Sequence, residues 1–173
     1  MNTLEAAEEL RGELTRGLVE AIRIPSLSGR EGRVVEYLAE TMRRLDYDEV
    51  VVDGMGNLRG RMGSGPYVIA LDGHCDTVDV GDPGLWTHDP FGGAEVDGKI
   101  YGRGASDQKA GVVAAIFAGA LLKRRGLPPE ITLYVVASVQ EEDCDGLCWQ
   151  YIVREEGLRP DMVVLTEPTS LGI

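Results

Sequence analysis

Positive charge is scarce in this chain: 17 Lys and Arg stand against 29 Asp and Glu, a formal net charge of −12 over 173 residues. That balance argues against nucleic acid or an anionic membrane as a partner, because both are held by basic patches. Aromatic residues make up only 6%, so aliphatic side chains and alanine must fill the core. The cysteines, Cys75, Cys144 and Cys148, are too few and odd in number for a disulfide framework and point to a reducing cytoplasm. No apolar run approaches the ~18–20 residues of a membrane span. The acidic start, Met1 to Leu14, lacks the basic-then-apolar order of a secretory signal. What is present suits a cytoplasmic globular chain: 43% of the residues are hydrophobic, and the length is that of one domain.

Apolar spacing predicts a helix from about Leu4 to Ile24, stopped by Pro25. Ser28 followed by Glu31 has the pattern of a capping box opening a second helix, with Val34, Val35, Leu38, Met42 and Leu45 as its buried stripe. Residues 49–53 and 58–62 read as paired strands, and 67–71 as an apolar strand running on to His74. Residues 79–98 form a long loop with a short hairpin, of a length that is often functional. A buried, Ala-rich helix is expected over Gln108 to Arg125, with Gly126 as its cap. Ile131 to Val139 is a β-branched run typical of a strand buried on both faces. A short helix over 147–156 and another buried strand over 161–165 follow. Strands alternating with helices make this a layered α/β domain.

Three of these strands end in chemistry. The first runs into Gly73-His74-Cys75-Asp76-Thr77, where alternation puts His74 and Asp76 on the same side. The second runs into Gln140-Glu141-Glu142-Asp143, and the third into Thr166-Glu167-Pro168-Thr169. A fourth acid, Asp107, sits where the glycine-rich Gly102-Arg103-Gly104 meets a helix start. Consecutive acids at the end of a buried strand are costly unless a positive group neutralises them. A divalent-metal cluster explains this convergence more simply than four independent caps, since imidazole and carboxylates are zinc ligands and a carboxylate can bridge two ions. Cys144 and Cys148, four apart, would share a face if helical, but no second Cys or His pair accompanies them. Gly102-Arg103-Gly104 does not complete a dinucleotide-binding glycine pattern, because position 107 is Asp.

The motifs Gly73–Val78, Trp86–Phe91, Gly102–Asp107, Glu141-Glu142 and Thr166–Thr169 together resemble the M20 family of zinc-dependent aminoacylases and peptidases. The group includes acetylornithine deacetylase, succinyl-diaminopimelate desuccinylase and related dipeptidases. Ser106-Asp107-Gln108 departs from the more usual Asp-Met-Lys and looks closer to a branch called selenium-metabolism-linked hydrolases. The resemblance implies a three-layer α/β zinc-peptidase-like catalytic domain. His74 and Glu167 would ligate one zinc, Asp107 would bridge both, its link to Gln108 being expected as a cis peptide, and Glu142 would ligate the second. Glu141 would be the general base acting on a metal-activated water, and Asp76 would orient His74 without touching metal. Zinc is the expected ion, two in the complete enzyme, with cobalt or manganese also suited to such ligands.

The resemblance also implies what to look for elsewhere. Residues 1–173 would be the N-terminal portion of the catalytic domain. A lid or dimerisation domain, through which the complete enzyme would form a homodimer, and a late histidine completing the second zinc site would lie beyond them. His88 stands where the family places no ligand. The expected activity is hydrolysis of an amide bond in N-acyl amino acids or small peptides. The alternative is a non-catalytic or partner-dependent metal-binding fragment of such an enzyme.

Overall fold

The computed structural model describes residues 2–169. Helix α1 (Thr3–Ile22) begins with a reciprocal cap in which the Asn2 side chain accepts the Glu5 N–H and the Glu5 carboxylate accepts the Asn2 N–H. Helix α2 (Gly32–Arg44) buries Val34, Val35, Leu38 and Met42, the stripe its spacing predicts. Its expected capping box does not form. Glu31 occupies the cap without a side-chain bond to the helix. The Ser28 hydroxyl donates to Asp76 instead (2.7 Å), and the Glu31 carboxylate accepts the N–H groups of Gly29 and Gln140. Partners remote in sequence have outcompeted the local pattern.

Strands β1 (Glu49–Val52), β2 (Leu58–Gly63) and β3 (Tyr67–His74) follow. The long loop carries the expected hairpin, β4 (Ala94–Val96) with β5 (Lys99–Tyr101). Helix α3 (Lys109–Arg125) ends at Gly126, whose φ of 93° is left-handed. Strand β6 (Ile131–Ser138), the single-turn helix α4 (Glu141–Cys144), helix α5 (Leu147–Arg154) and strand β7 (Met162–Leu165) complete the order. Cys144 and Cys148 do not share a helical face, because Asp145 and Gly146 both take positive φ and separate α4 from α5.

The main sheet has the order β1-β2-β6-β3-β7. β1, β2 and β6 pair antiparallel, whereas β6, β3 and β7 run parallel. The parallel trio therefore delivers its three carboxyl ends to one edge. One face is covered by α2 and α3, with α1 packed on α3. Close approach there depends on Gly60 of β2 and Gly119 of α3: a methyl group at Gly60 would meet Met42 and Tyr47 within 2.6 Å, and one at Gly119 would meet Met62 and the Tyr47 hydroxyl within 2.6 Å. α5 covers part of the opposite face, where Trp149 Nε1 donates to Asp72 (2.8 Å) and Glu156 pairs with Arg59. The layers are thus helix, sheet and helix. Strand β6 is almost wholly buried, as expected. Strand β7 is not: each of its residues is at least 41% exposed, because among the described residues β3 is its only neighbour.

Candidate metal centre

His74 closes β3 as a buried residue, 2% exposed. Its Nδ1 lies 3.1 Å from the Asp76 carbonyl oxygen and 3.4 Å from Asp76 Oδ1. Its Nε2 points to the acids: 2.9 Å to Asp107 Oδ1, 3.7 Å to Glu141 Oε2 and 3.7 Å to Glu167 Oε1. Two sets of ligand atoms converge within 4.8 Å, one from His74, Glu141 and Glu167, the other from His74, Asp107 and Glu142. All six residues singled out from the sequence therefore meet at one place. Asp76 lies behind the imidazole, and Glu141 falls on the Glu167 side of it.

The electrostatics follow from this crowding. Burial alone would push the His74 imidazole down, but the hydrogen bond and charge of Asp76, with Asp107 and Glu141, raise it to about 9. Burial raises Glu141, Glu142 and Glu167, and neighbouring carboxylates add to the rise against the opposing charge of His74. Asp76 is driven up by burial, yet His74, the Ser28 hydroxyl and the Glu141 N–H outweigh this and leave it low. One imidazole among four carboxylates, with Glu141 and Glu142 half-buried and Asp107 and Glu167 exposed, is an incomplete neutralisation. A hard or borderline divalent cation suits this donor set of nitrogen and carboxylate oxygen.

Side chains to which the sequence reading gave no role at the cluster also shape the site. Gln108, 1% exposed, follows Asp107 through a cis peptide bond. Its Nε2 donates to Glu167, and its Oε1 accepts from the Thr166 hydroxyl (2.9 Å) and the His74 N–H (3.2 Å). The adjacent Lys109 is equally buried and donates to the carbonyls of Ala21 (3.0 Å) and Ile24 (2.8 Å). Gln108 is marked in the sequence by its departure from the usual motif wording and by the cis link to Asp107 that the resemblance implies, which the structure contains. His88 joins neither set of ligand atoms. Its ring packs on Tyr101 at 4.7 Å, in a cleft it shares with Trp86 and Arg103, whose guanidinium stacks on the indole at 5.1 Å.

Relatives share both sequence and fold. The chain is 48% identical over 170 residues to the uncharacterized protein YgeY of Escherichia coli (strain K12), covering 98% of this chain and 42% of that protein. It is 34% identical over 163 residues to a probable succinyl-diaminopimelate desuccinylase of Staphylococcus epidermidis, covering 90% and 39%. The chain thus spans about two fifths of these relatives' lengths. Human carnosine dipeptidase 1 has the same fold, with a TM-score of 0.79 at 24% identity over 94% of this chain and 40% of the dipeptidase. The YXEP protein of Bacillus subtilis, described as a dinuclear metal binding peptidase, superimposes with a TM-score of 0.68 at 16% identity over 91% and 43%. Residues 70–172, which hold every acid and the imidazole of the cluster, match the family directly, and the chain belongs to Peptidase family M20/M25/M40.

Proposed function

We propose that this chain is the N-terminal catalytic portion of a metal-dependent hydrolase that cleaves an amide bond in N-acyl amino acids or small peptides. The observation that carries the proposal is the convergence of His74 with Asp107, Glu141, Glu142 and Glu167 at the carboxyl ends of β3, β6 and β7. The substrate class is that named for the desuccinylase and dipeptidase relatives. His74, Asp107, Glu142 and Glu167 would hold the metal, with zinc the best match to mixed imidazole and carboxylate ligands. Bound there, the ion would supply Lewis acidity and make water easier to deprotonate at neutral pH.

The protein's own groups supply the rest. Glu141, with its proton affinity raised by burial and by Glu167 and Asp76, is suited to take a proton from the attacking water and return it to the leaving amine. Asp76 fixes the imidazole, leaving Nε2 free to face the acids. Replacing Glu141 by Gln keeps size and polarity but removes the base. Turnover of N-acetyl or N-succinyl amino acids should be lost while metal content, measured by elemental analysis, is kept. Near-normal turnover in Glu141→Gln would refute the assignment. A second reading draws on the exposed β7: the cluster binds metal here, but hydrolysis needs polypeptide that covers this strand. Metal uptake without turnover in the isolated chain, with turnover restored by the remaining sequence of a longer protein, would select it.

A further inference from the structure

The acidic pair sits on a turn that has little means of holding itself. Gln140 is left-handed (φ 57°), and the helix that follows it is a single turn. Four consecutive backbone N–H groups along this turn are nevertheless accepted by buried side chains from three other segments. Asn57 Oδ1 takes the N–H of Val139 (3.1 Å), and Glu31 Oε1 takes that of Gln140 (3.0 Å). Asp76 takes the next two, Glu141 on Oδ1 (3.1 Å) and Glu142 on Oδ2 (3.2 Å). All three acceptors are at most 4% exposed. Each is itself braced. Asn57 Nδ2 donates to Asp53 Oδ2 (3.0 Å), while Asp53 Oδ1 gathers the N–H groups of Met55, Gly56 and Asn57. Glu31 also receives the Gly29 N–H (2.9 Å), and Asp76 the Ser28 hydroxyl.

We propose that Glu31 and Asn57 are positioning residues for Glu141 and Glu142, acting through the backbone of Val139 and Gln140. The inference rests on the reading of the acidic pair given above. Neither residue reaches the cluster. Both clamp the entry to the turn, at Val139 and Gln140, so that the carboxylates inherit their place over His74 from the backbone. Asp76 does not hold the entry, because its two contacts lie after the left-handed residue. Misplacement of a reacting group by about 1 Å costs up to about a hundredfold in rate.

The test uses cobalt(II) as probe, read by calorimetric titration and by its visible spectrum, alongside kcat and KM on N-succinyl amino acids. In Glu31→Ala, cobalt affinity at the site completed by Glu142 should fall by about 10–100-fold, with a changed spectrum, and kcat by a similar factor with KM nearly constant. Glu31→Gln keeps an oxygen that accepts the Gln140 N–H and should restore both; Glu31→Asp keeps the charge but loses the reach and should not. Tyr47→Phe removes a buried hydrogen bond to Ile116 far from the turn (2.8 Å) and should leave cobalt binding unchanged, separating placement from general instability. If Glu31→Ala does not fold, the contrast between Gln and Asp decides. Wild-type cobalt affinity and spectrum in folded Glu31→Ala, or rescue by Asp and not by Gln, would overturn the proposal. A wild-type protein that binds cobalt but hydrolyses nothing even with the remaining sequence of a longer protein supplied would sink the functional reading and leave the cobalt test of Glu31 intact. A wild type that takes up no cobalt would sink both.

Discussion

Strands β6 and β7 flank β3 on its two sides, run parallel to it and end in acids, yet they live in different environments. β6 is buried on both faces, and the turn that follows it has its amides taken by Asn57, Glu31 and Asp76. β7 is exposed along its length, and its acid, Glu167, is held mainly by Gln108. Apolar composition is therefore not the same as burial. The side of the cluster carrying Glu141 and Glu142 is built into the core, whereas the side carrying Glu167 stands at an open edge.

The sharpest way to break this comparison is to place the same charge in each strand. Val135→Asp in β6 puts an unpaired carboxylate where exposure is 0%, and should cost about 4 kcal/mol or more, enough to unfold the chain in a denaturant titration. Next in size, Asp76→Ala strips the turn of two acceptor oxygens and His74 of the carboxylate at 3.4 Å, leaving only the backbone carbonyl at 3.1 Å; a loss of about 3 kcal/mol is expected, together with weaker metal uptake.

A pH series on the metal-free chain probes the cluster itself. His74 is raised from 6.5 to about 9, so its stabilising contribution is complete below about pH 6.5 and lost as pH rises through 9. The raised Glu141, Glu142 and Glu167 act in the same direction, losing stability as they ionise. Thermal unfolding should therefore show stability falling with rising pH by an amount on the order of 2–3 kcal/mol. Saturating zinc, which requires the ligands deprotonated, should abolish or reverse that slope. The smallest effect belongs to Val164→Asp in β7, where 42% exposure lets the new charge reach water and the cost should stay below about 1 kcal/mol. A cost equal to that of Val135→Asp would show that β7 is covered in solution.

Much of the site was legible because its signals are local. A β-branched run followed by acids, and an apolar strand ending in His74-Cys75-Asp76, announce themselves by period and position. What was not legible depends on contacts remote in sequence. Ser28 and Glu31 have the spacing of a capping box, but Asp76 and Gln140 compete for them and win. Met162–Leu165 has the composition of a central strand, and nothing in four apolar residues tells an edge from a centre. The Glu141–Cys144 turn is too short to show a helical period. The cluster itself is a meeting of segments that only the sheet order brings together.

The turn bearing Glu141 and Glu142 takes its hydrogen bonds from residues 109, 82 and 65 positions earlier in the chain. Three long loops must close before the turn is in place, and each closure spends entropy that nothing local returns. The ligand set is therefore complete only where these remote segments have come together. Metal binding then becomes a readout of the chain from Glu31 to Glu167: a lesion near its beginning registers as lost affinity at a site far along the sequence, and added ion stabilises the molecules in which those segments have met.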